Sequence, residues 1–166
     1  STSAGSSSGT STPSTNTDSS KKRGLAYNTA SLTQYFTGGN SKVSWAYNWG
    51  QTSTGSVNGL EYVPMLWNND PSRLKSWKAN AEAAIAAGST HLFSFNEPDL
   101  NTQANMAISD AVSAYKDNMN QFAGKAKLGA PAVTNGGAPM GLTYLTDFIS
   151  SCTTCTIDFV NIHWYD

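Results

Sequence analysis

The chain has 166 residues and a formal net charge of −1, the length of one domain with a core of ordinary size. Basic residues cluster only at Lys21-Lys22-Arg23, which argues against a nucleic-acid footprint or a polybasic membrane patch, and no apolar stretch approaches the length of a bilayer span. Charged residues make up 13% while Ser, Thr, Asn and Gly abound, the composition of a secreted rather than a cytosolic protein.

Fourteen of the first twenty residues are Ser or Thr. Such a segment buries too little apolar surface to offset its ordering entropy, so residues 1–20 read as a disordered linker. Nothing in it has the pattern of a secretory leader, which reads as a mature or N-terminally incomplete chain. From Arg23 onward, strand-like and helix-like runs alternate. A first strand, 24–27 (GLAY), ends at Asn28, and a short helix over 31–36, capped by Thr29 or Ser31, stops at Gly38-Gly39. A second strand, 43–47 (VSWAY), runs into Asn48-Trp49-Gly50, and a third, 60–66 (LEYVPML), ends at Trp67.

Asp70-Pro71 supplies an N-cap with proline at the first helical position. Leu74, Trp77, Ala81, Ala84 and Ile85 then recur at helical spacing, closed by Gly88. The fourth strand follows, and after it a helix marked by Ile108, Val112, Tyr115, Met119 and Phe122, ended by Gly124. A fifth strand over 127–133, a helix through Leu142, Leu145, Phe148 and Ile149, and a sixth strand over 157–164 complete the series. Repeated βα units predict a parallel α/β sheet, and without a glycine-rich phosphate loop after the first strand a barrel is favoured over a dinucleotide fold.

The fourth strand carries the strongest signal. Its apolar half, His91-Leu92-Phe93-Ser94-Phe95, suits a strand buried on both faces, and its polar half is Asn96-Glu97-Pro98-Asp99. Pro98 disfavours helix at the residue before it, so Glu97 is expected to be extended at the strand's C-terminal end, where parallel α/β folds do their chemistry. The neighbouring strand ends offer Tyr27-Asn28, Tyr47-Asn48-Trp49, Trp67-Asn68, Thr134-Asn135 and His163-Trp164-Tyr165-Asp166. Aromatic faces packing on sugar C–H faces, with amides and histidine giving directional bonds, are what a carbohydrate site requires. Trp77, at helical spacing, reads as packing. Cys152 and Cys155, spaced CxxC, are the only cysteines. A secreted composition favours a short-loop disulfide between them over a zinc site or a redox pair.

The string Phe95-Asn96-Glu97-Pro98 resembles the Asn-Glu-Pro signature closing the fourth barrel strand in clan A glycoside hydrolases. The blocks 22–28 (KRGLAYN), 43–49 (VSWAYNW), 62–67 (YVPMLW), 129–133 (GAPAV) and 157–165 (IDFVNIHWY) look like the fungal Asl-type glycosyl hydrolase catalytic core. That is glycoside hydrolase family 128, mainly endo-β-1,3-glucanases. The resemblance implies a (β/α)8 barrel, no cofactor and no metal, and a β-glucan partner at a cell wall. It also implies a retaining mechanism in which Glu97 is the general acid/base and Asn96 bonds the sugar 2-OH. Tyr47, Asn48, Trp49, Trp67, His163 and Tyr165 would line the cleft.

Retention needs a second carboxylate about 5–5.5 Å from the first. In the family it is a glutamate ending the seventh strand, and no such strand is seen here. Asp99 and Asp166 lie at the rim without matching that position. The expectation is therefore a fragment of a longer enzyme: six βα units over 21–166, catalytically crippled and marginally folded. The alternative is a non-catalytic wall protein that binds glucan.

Overall fold

The computed structural model describes residues 21–165, so the expected linker at 1–20 and Asp166 lie outside the described residues. The order is β1 (Arg23–Ala26), a 3-10 helix (Ala30–Phe36), β2 (Val43–Tyr47), β3 (Glu61–Tyr62) and α1 (Pro71–Ala86). Then come β4 (His91–Leu92), α2 (Ile108–Asn118), a 3-10 turn (Asn120–Phe122), β5 (Lys127–Leu128) and α3 (Leu142–Ser151).

Every described pairing between these strands is parallel and joins neighbours in sequence. β2 pairs with β1 and with β3, and β4 with β5. Single bridges, Met65 to Phe93, Asn96 to Ala132, Gly129 to Phe159 and Val133 to Ile162, carry the order from β3 to β4 and from β5 to the extended run 157–164. A sheet that adds each strand beside the previous one never reverses direction, unlike a doubly wound sheet. The α/β class expected from the alternating pattern is present.

Several elements differ from the sequence expectation. The third, fourth and fifth strands are two-residue ladders extended by isolated bridges, and the expected sixth strand pairs through isolated bridges alone, with proline interrupting regular pairing at Pro64 and Pro131. The first helix is a 3-10 helix whose N-cap, Thr29, makes no side-chain cap bond. Asp70 is the N-cap of α1 but does not cap with its side chain. Its carboxylate accepts from Asn68 Nδ2 at 2.8 Å, and its carbonyl takes the amides of Arg73 and Leu74 instead.

The runs 63–66, 92–95 and 128–133 are buried on both faces, whereas β1 and the run 157–164 keep exposed residues. Leu66, Leu92, Phe95, Leu128 and Val133 pack on Trp77 of α1, Tyr115 of α2 and Phe148 of α3. Val63, Met65 and Phe93 pack on the opposite face with Trp45, Tyr47 and Phe159. Double burial explains why these runs read as continuous apolar segments rather than alternating ones. Glycine lets the second layer close: a Cβ at Gly24 would sit 2.2 Å from the Trp45 ring, and one at Gly129 would sit 2.8 Å from the Phe159 ring. Cys152 and Cys155 form the expected disulfide, at the C-terminal end of α3. Among the described residues no helix is long and apolar enough to cross a membrane.

At the entry ends of the strands, acidic side chains hold the neighbouring backbone. Glu61 Oε1 accepts from the amides of Thr90 and His91 at 2.7 and 3.0 Å and pairs with His91 Nδ1 at 3.0 Å. Asp158 accepts from the Leu128 amide at 2.9 Å, a bond that holds its carboxyl below the ordinary value. Burial pushes the Glu61 carboxyl up, but the bonds from His91 and Thr90 outweigh it and leave it lowered. The Glu61 bond raises His91 against the opposing effect of burial.

Two outcomes follow. Trp77 is fully buried and donates Nε1–H to the Asn118 carbonyl at 3.1 Å, so Trp77→Ala should cost about 3–5 kcal/mol, read as a lower urea midpoint. The His91–Glu61 pair should stabilise most between about pH 4.5 and 6.5, the ordinary values of the two groups. A raised histidine loses its contribution as pH climbs through its folded-state value, and a lowered carboxyl loses its own as pH falls through its folded-state value. In calorimetry, His91→Gln should therefore lower Tm at pH 6 more than at pH 9; equal deficits at both would refute the coupling.

Candidate active site

The strand exits converge on a cleft of about 370 Å³ lined by Asn28, Trp49, Trp67, Asn96, Glu97, Gln103, His163 and Tyr165. Glu97 lies at its buried centre, 8% exposed. Its backbone is not extended, as the proline argument had it, but left-handed, with φ of 46°. A non-glycine residue holds such a conformation only where surroundings over-determine it. Here the Glu97 amide donates to the Ala132 carbonyl at 2.7 Å and its carbonyl accepts from Leu100 N–H at 3.1 Å. The chain thus turns sharply out of β4 and aims the carboxylate across the cleft instead of along the strand.

That carboxylate meets His163, whose Nδ1 lies 2.8 Å from Glu97 Oε1. The two side chains are 17% and 10% exposed. One proton suffices for this contact: Nδ1–H donates to a carboxylate, or a protonated Glu97 donates to a bare Nδ1. His163 is itself set by its amide, which donates to the Val133 carbonyl at 2.8 Å. Burial pushes the Tyr47 hydroxyl up, with the charges of Tyr165 and Glu97 adding to it.

Asn96 is equally constrained. Its amide donates to the Trp67 carbonyl and its carbonyl accepts from Ala104. Side-chain Nδ2 donates to Gln103 Oε1 at 3.1 Å, while Oδ1 is buried with no partner among the described residues. A buried acceptor left unsatisfied costs about 1–3 kcal/mol, and it lies on a residue lining the cleft. The aromatic wall is fixed from behind. The Arg73 guanidinium lies over the Trp67 ring, 5.1 Å from its centroid, and Tyr47 packs against Trp49 with centroids 4.9 Å apart.

Of the residues singled out from sequence, Glu97, Asn96, Trp49, Trp67, His163 and Tyr165 come together in this cleft. Tyr47 backs it without lining it. Asn48 does not join it: Oδ1 accepts from Tyr62 Oη and the Gly50 amide, and Nδ2 donates to the Thr52 carbonyl. It is the internal brace of the loop after β2. Trp45 belongs to the layer with Met65 and Phe93. Asp99 is spoken for as well, accepting from Thr134 N–H and Oγ1–H and from Gly141 N–H, the last two at 2.7 and 2.8 Å. Gln103 was missed because a lone polar residue in a loop gives no pattern. Asn28 stood among the strand ends but had nothing to set it apart.

Most of the chain matches known proteins. Residues 24–166 match the model of a family described as glycosyl hydrolase catalytic core. The chain is 35% identical over 131 residues to alkali-sensitive linkage protein 1 of Schizosaccharomyces pombe, a match spanning 76% of this chain and 22% of that one. Its structure is similar to a curdlan-specific exo-β-1,3-glucanase of glycoside hydrolase family 128, subgroup III, from Blastomyces gilchristii, solved with glucose. The TM-score is 0.83 at 49% identity, over 89% of this chain and 62% of that one. A subgroup IV endo-β-1,3-glucanase from Lentinula edodes is similar with a TM-score of 0.70 at 30% identity, over 88% of this chain and 60% of that one. The chain thus spans less than two thirds of the length of each of these relatives.

Asp99 should behave as a structural stitch between the loops after β4 and β5. Asp99→Ala strands three donors and should lower stability by about 1–3 kcal/mol, seen as a reduced urea midpoint at unchanged slope. An unchanged midpoint would contradict the assignment.

Proposed function

The chain belongs to the glycosyl hydrolase catalytic core family, and we propose that its cleft binds β-1,3-glucan and that, in the full-length protein, Glu97 drives hydrolysis of the glycosidic bond. One observation carries this reading: a buried carboxylate in hydrogen-bond contact with a histidine, in a cleft lined by Trp49 and Trp67. The glucanase activities named for the Blastomyces and Lentinula proteins support the substrate class. The sequential parallel strands support a (β/α)8-type wall, in which chemistry sits at the C-terminal strand ends.

The mechanism is written from the residues present. The indoles of Trp49 and Trp67 hold flat sugar faces and exclude water from them. Asn96 Oδ1, the acceptor without a protein partner, takes the hydrogen of a sugar hydroxyl beside the scissile bond, a contact that strengthens as positive charge grows on the ring. With His163 Nδ1–H donating to Oε1, a proton carried on Glu97 Oε2 passes to the leaving oxygen as the glycosidic bond breaks, and the histidine bond stabilises the carboxylate left behind. A retaining cycle further requires a second carboxylate to take the glycosyl group as that bond breaks; when water displaces this carboxylate, Glu97 takes the water's proton. Secretion, expected from composition, and the cell wall, implied by the family resemblance, fit an insoluble glucan as substrate.

Among the described residues lining the cleft, Glu97 is the one carboxylate. This favours a second reading, a non-catalytic wall protein that grips glucan in the same cleft. One assay separates the two. With laminarin or curdlan, the full-length protein should release reducing sugar, and Glu97→Gln should lower kcat by about 10²–10⁴-fold with KM nearly unchanged. Trp67→Ala should raise KM instead. Equal activity of the parent and Glu97→Gln sinks the catalytic assignment, and binding without sugar release in the parent establishes the second reading.

A further inference from the structure

A second concavity, about 550 Å³, is lined by Asn28, Thr29, Ala30, Ser31, Gln34, Thr54, Gly55, Ser56 and Asn58. One wall is the 3-10 helix and the other is the loop between β2 and β3. Its lining contains no ionisable side chain. Amide and hydroxyl groups alone suit an uncharged, hydroxyl-rich ligand and offer nothing to a phosphate or a carboxylate.

The walls are built before any ligand arrives. Tyr27 Oη donates to the Ser53 carbonyl at 2.6 Å, and Asn58 Nδ2 donates to Thr33 Oγ1 at 2.8 Å, tying the loop to the strand and to the helix. Gly55 lies close enough to Ala30 that an added Cβ would stand 3.1 Å from its methyl. On a helix of three residues per turn, Ser31 and Gln34 eclipse one another, and both line the groove. Among the described residues, the side chains of Asn28, Ser31 and Gln34 take part in no hydrogen bond. Asn28 lines this groove and the Glu97 cleft alike, so the two concavities share one wall residue.

We propose that this groove continues the cleft past Asn28 and holds further glucosyl units of the same chain, with Ser31 and Gln34 bonding their hydroxyls. The inference rests on the glucan reading of the cleft. It makes the length of the bound oligosaccharide, rather than the reacting sugar alone, a determinant of affinity.

The test uses the full-length protein carrying Glu97→Gln as the parent, so that hydrolysis does not mask binding, with laminari-oligosaccharides of two to six units titrated by calorimetry. The parent should bind the hexaose more tightly than the biose. Gln34→Ala should weaken hexaose binding by roughly fivefold, the loss of one net hydrogen bond, and Ser31→Arg, which fills the groove, should weaken it further. Both variants should bind the biose like the parent. Amide signals of Ser31, Gln34 and Ser56 should shift on adding hexaose and stay still with biose. Hexaose affinity unchanged in both variants, with those signals still, overturns the groove while leaving the cleft reading intact. Failure of the parent to bind any of the oligosaccharides overturns the glucan reading itself and this inference with it.

Discussion

The short contact between Glu97 and His163 is where the rest of the structure bears its load. It exists only because successive strands run parallel and leave the sheet at the same end. Glu97 hangs from β4 and is pinned by its amide to the backbone after β5; His163 hangs from 157–164 and is pinned by its amide to Val133. The acid and its partner are therefore referred to one stretch of backbone, 132–133. A shift of either strand by one residue would send that side chain to the other face of the sheet and break the pair. Register, together with the left-handed turn at Glu97, delivers the carboxylate.

This dependence accounts for how the core is distributed. Strands short on ladder bonds keep their register through packing on both faces, with the helices on one side and the Trp45, Phe93 and Phe159 layer on the other. Buried hydroxyls add directional ties across it. Ser94 Oγ and Tyr115 Oη both donate to the Gly129 carbonyl, at 2.8 and 3.2 Å, and Tyr115 also reaches the Thr156 carbonyl at 3.0 Å. The aromatic cleft wall is stiffened in a different way, by a cation behind Trp67 and a ring behind Trp49. What touches ligand is thus supported by groups that do not.

Much of this was legible in the sequence. A buried parallel strand announces itself as an unbroken apolar run, and the carboxylate at the end of 91–95 was identifiable because apolar neighbours and a proline left it little chance of being a solvated surface charge. Helix positions were legible where apolar spacing and glycine stops coincided, as in α1 and α2. Local backbone was less so. The left-handed turn at Glu97 is imposed by bonds to Ala132 and Leu100, which no neighbour in sequence foretells. Asn48 has the composition of a ligand-binding amide but spends its bonds on its own loop, and Asp70 looks like a capping side chain but turns to Asn68. In each case a short polar side chain had two possible partners, and tertiary placement chose between them.

The acids at the opposite end of the sheet complete the picture. Glu61 and Asp158 each seize backbone amides at the start of an adjacent strand, so the alignment of β4 and β5 is reinforced where these strands enter. Away from the Asp99 stitch and the backbone ties of Glu97 and His163, the exits are freer of that duty. Loops there can lengthen, shorten or trade side chains without sliding one strand past another, so specificity at the mouth can drift while the framework beneath stays indexed.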